Sequence, residues 1–266
     1  MSFNHKKKYG QNFLNDQFEV LDKIIEVSNI KMEDEILEIG PGQGALTSML
    51  LKRAKKVTCI EIDKDLEAGL LKKFKAEENF NLIMGDVLEV DFRKYISKGT
   101  KVVANIPYYI TSPIVNKIIE HRDLINEAYI MVQKEVGERI CAKNGKERSV
   151  LTLAVEYFGE AEYLFTIPRS YFVPVPNVDS AFIKIKLYGD RRYQEKINEV
   201  IFFKYIKAAF SNKRKNIVNN FSTLGLNKEY IKNILKKVGI SENERAENIL
   251  IEDFIRLIEL FEMNQK

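Results

Sequence analysis

The stretch that most constrains the fold is Glu38 to Leu46, EIGPGQGAL, read together with what stands on either side of it. Ahead of the loop, EILEIG (35–40) is a short apolar run ending in glycine, the pattern of a buried strand. Behind it, ALTSMLLKRAK (45–55) carries apolar residues at helical spacing, and VTCIEID (57–63) is a second strand-like run. Strand, helix and strand in that order call for two parallel strands joined by a right-handed crossover. Three glycines between the first strand and the helix let the backbone turn sharply and come close to a ligand. In open α/β sheets ligands sit at the carboxyl ends of the strands, so this loop faces a binding crevice.

The alternation continues. LIMGD, KVVANIP and AYIMVQK read as further strands, with SPIVNKIIEH as a helix between the last two. EYLFTIP and SAFIKIKLY, separated by a proline-rich loop, read as a closing antiparallel pair. The expected architecture is α/β, a doubly wound, mostly parallel sheet of Rossmann-like type. Around YGDRRYQEK (188–196) the strand signal stops, and YIKAAF, YIKNILKKVG and EDFIRLIELF show only helical spacing. The sequence therefore predicts an α/β domain over 1–188 and a smaller all-α domain over 189–266.

Composition narrows the class. Apolar residues make up 45% and charged residues 30% of the chain, as in ordinary soluble proteins. Two cysteines, Cys59 and Cys141, and two histidines supply no metal-ligand set or disulfide framework, so a reducing compartment and no metal are expected. Cys59, inside a strand-like run, reads as a small buried hydrophobe. The start, MSFNHKKKYGQNFLND, is basic but lacks the apolar core of a secretion signal, and no apolar run is long enough to span a membrane. A cytoplasmic protein is the expectation.

Candidate site residues fall at successive strand ends. Gly40, Gly42 and Ala45 fit the dinucleotide pattern G-x-G-x-x-G/A, and Glu61 lies near the distance of a ribose-binding acid, which keeps a nicotinamide enzyme in play. Asp86 ends the third strand, where it can accept a hydrogen bond from an adenine amino group, and Asn105 ends the fourth. Pro107 stiffens the exit from that strand, and Tyr108 and Tyr109 follow. Acid, acid and Asn-Pro-aromatic on consecutive strand ends is the arrangement expected of an S-adenosyl-L-methionine methyltransferase acting on an exocyclic amine. Such a nitrogen is a poor nucleophile, because its lone pair is delocalised into the ring. Acceptors at the Asn105 side chain and the Ile106 carbonyl, held by Pro107, would bind its hydrogens and let it pyramidalise without a strong base. Tyr108 can stack on the base, which must be unpaired or flipped out to reach it.

GQNFLND, EIGPGQG, NIPYYITSPI and FVPVPNVDSAF, in that order, strongly resemble the ribosomal RNA adenine dimethyltransferases. ERAENILIEDFIRL (244–257) is similar to the C-terminal signature of the branch that acts on small-subunit rRNA. The resemblance implies transfer of two methyls to the amino nitrogen of each of two adjacent adenosines, in a hairpin near the 3′ end of 16S rRNA in the immature small ribosomal subunit. It places cofactor contacts at Asn12, Leu14, Gly40, Gly42, Glu61, Ile62, Asp86, Val87 and Asn105. It gives the chemistry to Asn105, Ile106, Pro107 and Tyr108, with Phe172 covering the other face of the base. A monomer is expected. Asn15 or Asp16 is a plausible cap of the first helix. The competing readings are a macrolide-resistance type enzyme acting on one adenine of 23S rRNA and a noncatalytic ribosome assembly factor. A DNA adenine methyltransferase is disfavoured, since no separate base-reading domain is apparent.

Between residues 204 and 237 nine basic residues stand against Glu229 alone. SNKRKN (211–216) concentrates Lys213, Arg214 and Lys215, which repel one another unless a polyanion is present, so RNA phosphate contacts are expected there. Lys6, Lys7 and Lys8 could add a second contact.

Overall fold

The computed structural model describes residues 13–14 and 18–263. The expected contacts Asn12, Lys6, Lys7 and Lys8, and the helix cap at Asn15 or Asp16, lie outside the described residues. The chain divides into two compact units, one of the residues up to Gly137 with Ala161–Gly189, the other of Glu138–Glu160 with Asp190–Lys266.

The first unit is built on a seven-stranded sheet. Its members are β2 (Glu35–Ile39), β3 (Lys56–Glu61), β4 (Phe80–Met84), β5 (Thr100–Asn105), β6 (Ile125–Gln133), β7 (Gly159–Ile167) and β9 (Ser180–Leu187), in the spatial order β4-β3-β2-β5-β6-β9-β7. Strands β4, β3, β2, β5 and β6 run parallel to one another, and β9 runs antiparallel to β6. The doubly wound, mostly parallel sheet expected from the alternating pattern is the one observed. Leu37, Val57, Val103, Ile130 and Ile183 are fully buried, each contributing about 1.5–3 kcal/mol of apolar burial. Helices α2 (Ala45–Leu51), α3 (Lys64–Lys73) and α4 (Thr111–Glu120) lie in the crossovers β2–β3, β3–β4 and β5–β6, and α1 (Phe18–Ser28) precedes β2. Asp63 caps α3, its side chain accepting from the Asp65 N–H at 3.2 Å. A separate two-residue ladder pairs β1 (Phe13–Leu14) with β8 (Phe172–Val173), Leu14 opposite Phe172.

The second unit is helical, with the end of α5 (Lys134–Cys141), α6 (Val150–Phe158), α7 (Glu199–Ala209), α8 (Ile217–Phe221), α9 (Lys228–Val238) and α10 (Ile251–Met263). The region after residue 196 is helical, as its spacing predicts. Residues 138–160, which the sequence reading left with the α/β domain, cluster here instead. The reason lies in α6, VLTLAVEYF, which is apolar nearly all round and buries Leu153, Val155, Tyr157 and Phe158. Tyr157 stacks on Phe202 of α7 with ring centroids 4.1 Å apart. Among the described residues no helix is long and apolar enough to cross a membrane.

Candidate active site

Strand register alone brings the candidate residues to one level. Ile39 lies opposite Ile60 on one side and Ala104 on the other, and Glu61 lies opposite Met84. One residue further along come Gly40, Glu61, Met84 and Asn105, with Gly85 and Asp86 just past the end of β4. The order β3-β2-β5 makes this the point where the chain's winding reverses, where doubly wound sheets bind ligands. An open cleft of about 920 Å³, counting space continuous with solvent, lies here. Its walls include Gly40, Gly42, Glu61, Ile62, Asp86, Val87, Asn105, Ile106, Pro107 and Tyr108, so ten of the expected site residues meet in one place.

The loop geometry explains the glycines. Gly40 has φ +72°, and a Cβ there would sit 3.4 Å from the Asn105 carbonyl oxygen. Gly44 has φ +76°, and a Cβ would lie 2.6 Å from Cε2 of Phe74. At Gly40 the left-handed backbone disfavours a larger residue, and at Gly44 the Phe74 ring crowds one as well.

Glu61 is buried and bolted to the same loop. One carboxylate oxygen accepts the Gly42 N–H at 3.1 Å, the other the Asp63 N–H at 2.9 Å. Burial raises its pKa, opposed by these backbone donors. Beneath it, Glu38 is 2% exposed and accepts from the Cys59 thiol at 3.3 Å. Burial pushes the Glu38 carboxyl up to about 7, with Thr47 and Cys59 pulling the other way. Cys59 is buried as expected, but it also serves as this carboxyl's donor. Asp86 accepts the Leu88 N–H at 2.9 Å and shapes the turn after β4.

On the β5 side, the Ile106 N–H donates to the Met131 carbonyl at 3.2 Å, which fixes the peptide after Asn105. Pro107, at φ −56° and ψ 129°, leads into a tight turn over Tyr108–Ile110 and then α4. The Tyr108 hydroxyl lies 2.7 Å from Ser180 Oγ, and burial raises the phenol's pKa, so the ring is tethered and neutral. Ser180 and Glu38 lie within FVPVPNVDSAF and EIGPGQG, yet no local pattern marks either as a partner of the site. Phe172 and Leu14 are not among the cleft residues. Phe172 is fully buried in the hydrophobic core, where an apolar ring gains most, so in this conformation it presents no face to a base.

In the helical unit Lys213, Arg214 and Lys215 are exposed. The nine basic residues are not equivalent, however. Lys232 is bridged by Glu229 at 3.3 Å and by Glu242 at 3.4 Å. Glu242 lies beyond the window in sequence and was invisible to a local charge count.

The fold and its crevice define a class: a Rossmann-like methyltransferase domain of the S-adenosylmethionine-dependent type, with a smaller helical unit. The sequence relationships narrow it. The ribosomal RNA adenine dimethylase model matches residues 2–263, and the chain belongs to that family, the one its motifs resemble. It is an rRNA adenine dimethyltransferase. Ribosomal RNA small subunit methyltransferase A of Fusobacterium nucleatum subsp. nucleatum is 73% identical over 262 residues, 98% of this chain and 99% of that protein. The protein of the same name from Caldanaerobacter subterraneus subsp. tengcongensis is 42% identical over 95% of both chains. Among solved structures, a dimethyladenosine transferase from Plasmodium falciparum superposes with a TM-score of 0.78 at 32% identity, covering 95% of this chain and 98% of that one. The 23S rRNA methyltransferase ErmE superposes with a TM-score of 0.74 at 26% identity, covering 93% and 98%.

Proposed function

We propose that the chain dimethylates two adjacent adenosines near the 3′ end of 16S rRNA during small-subunit maturation, with S-adenosyl-L-methionine bound in the cleft. The observation that carries this reading is that the Asn105–Tyr108 turn and the Glu61–glycine loop open onto one cleft. The near full-length identity to proteins named small subunit methyltransferases supports the choice of rRNA.

The cleft fits the cofactor. Glu61 would take the ribose hydroxyls, since each of its oxygens keeps acceptor capacity beside its backbone donor. Ile62 and Val87 would enclose the adenine, with Asp86 accepting from its amino group. Gly40 and Gly42 leave room for the cofactor's tail. When bound, the cofactor supplies an electrophilic methyl on a positively charged sulfur.

The chain's own residues prepare the nucleophile. Asn105 and the Ile106 carbonyl accept the two amino hydrogens of the target, so that its nitrogen regains a directed lone pair. Their positions are set before substrate arrives, by the Ile106–Met131 bond and by Pro107. The Tyr108 ring, tethered through Ser180, stacks on the target base, roughly 1–3 kcal/mol of sequence-tolerant binding. Lys213, Arg214 and Lys215 would dock the RNA through its phosphates.

Incubating the purified chain with methyl-labelled S-adenosylmethionine, and with either unmethylated small subunits or large-subunit rRNA, tests this. Dimethyladenosine is expected only in the small subunit. Label confined to large-subunit rRNA would make ErmE the better functional guide, and no transfer to either would leave an assembly factor.

A further inference from the structure

Three loops of the helical unit are fastened together around one buried arginine. Arg148 is fully buried, and its guanidinium donates to the Glu247 and Ile249 carbonyls while pairing with Glu156 at 2.5 Å. The Gly145 N–H donates to the Glu247 carbonyl at 3.2 Å, which ties loop 142–149 to segment 244–249. The Ile217 N–H donates to the Glu244 carbonyl at 2.8 Å, which ties the end of the basic loop 211–216 to the same segment. The basic loop is held from within as well. Buried Asn220 donates through Nδ2 to the Ala209 carbonyl at 2.6 Å and the Asn212 carbonyl at 3.1 Å.

Such anchoring is costly for surface loops, because a buried ion pair must overcome the desolvation of both charges. What the anchored loops present outward is positive. The Lys213 ammonium reaches the Lys146 backbone carbonyl at 3.4 Å, so this end of the basic loop meets loop 142–147 at a residue distant in sequence. The Lys146 side chain is 88% exposed, and its near acid, Glu147, stands 3.9 Å away as a weak surface pair. Clustered cations held by a rigid frame repel one another until a polyanion arrives.

From this arrangement we infer that loop 142–147 and the basic loop form a single RNA phosphate-binding surface, joined at Lys146. It rests on the proposed docking of rRNA through Lys213, Arg214 and Lys215, and extends it to a residue whose segment follows the α/β unit's parallel strands in sequence. Arg148 acts as the brace that sets the two loops against each other.

The test is the salt dependence of binding to small ribosomal subunits carrying unmethylated rRNA, measured with the full chain. Lys146→Gln should lower the log–log slope by about 0.7–0.9, a loss of one phosphate contact. That corresponds to roughly five- to eightfold weaker binding at 0.1 M salt, if affinity extrapolated to 1 M is unchanged. Cofactor affinity and thermal midpoint should not move. The Lys213→Gln, Arg214→Gln, Lys215→Gln triple variant is measured beside it. If the triple variant loses slope and Lys146→Gln does not, the joined surface is overturned while the basic loop's role stands. If neither variant loses slope, the RNA binds elsewhere and both readings fall.

Discussion

Glu61 in the α/β unit is buried and Glu156 in the helical unit partly so, and desolvation raises the pKa of both, yet they are held in different ways. Glu61 accepts from two peptide N–H groups and lines an open cleft. Glu156 pairs with a guanidinium, and even that attraction does not outweigh its desolvation. Neutral donors fix a carboxylate's direction while leaving its charge available to a ligand. A buried cation uses the charge up and converts it into a fixed loop geometry. On the proposed reading one unit keeps its acid for recognising the cofactor, whereas the other consumes its acid in construction.

The largest effect should come from breaking the second arrangement. Glu156→Ala leaves Arg148 buried without its counter-charge and should destabilise the protein by about 3–5 kcal/mol, read from denaturant midpoints. Replacing both partners together, Arg148→Met with Glu156→Leu, should cost less than the single change, the remainder coming from the Glu247 and Ile249 carbonyls that lose their donor. Equal losses would show that lost packing, rather than the stranded charge, governs the site.

Asn105→Ala should lower methyl transfer by roughly 10²–10³ with a much smaller change in cofactor affinity, by analogy with removing one preorganised polar group. Single-turnover kinetics near the parent rate would rule out the acceptor mechanism.

Glu38 sharpens the comparison, because it is buried with only weak donors. Its folded pKa of about 7 lies above the ordinary 4.5. The native state therefore holds an extra proton between those values, and stability should fall as pH rises from 4.5 to 7, then level off. The fall is about 3 kcal/mol in order of magnitude. Glu38→Gln should flatten that window in melts of the cofactor-free protein. An unchanged pH profile would mean that Glu38 is ionised in the native state.

The smallest of these effects is Glu61→Ala, which should weaken S-adenosylmethionine binding by roughly 1.5–3 kcal/mol. Calorimetry showing unchanged affinity would remove Glu61 as the ribose acceptor.

The sequence by itself determined the α/β architecture, because parallel strands buried on both faces must be apolar runs separated by amphipathic helices. It also determined most of the cleft: Gly40, Glu61, Asp86 and Asn105 follow strands whose ends the pattern marks, and parallel register then brings strand ends together. NIPYY was legible because proline after a strand leaves few backbone paths. Other features needed the tertiary structure. Phe172 was read as facing a base, but whether an aromatic ring faces a cleft or the core depends on neighbours distant in sequence. The tethers Ser180 to Tyr108 and Met131 to Ile106 depend on strand β9 and strand β6 arriving at particular registers. Lys232 looked like part of a uniform basic face until Glu242 came beside it. Residues 138–160 carry no local mark of the unit they join, since an apolar helix buries equally well against a sheet or against other helices. Only the packing of α6 with α7 and α10 decides that, and with it the position of Lys146 beside Lys213.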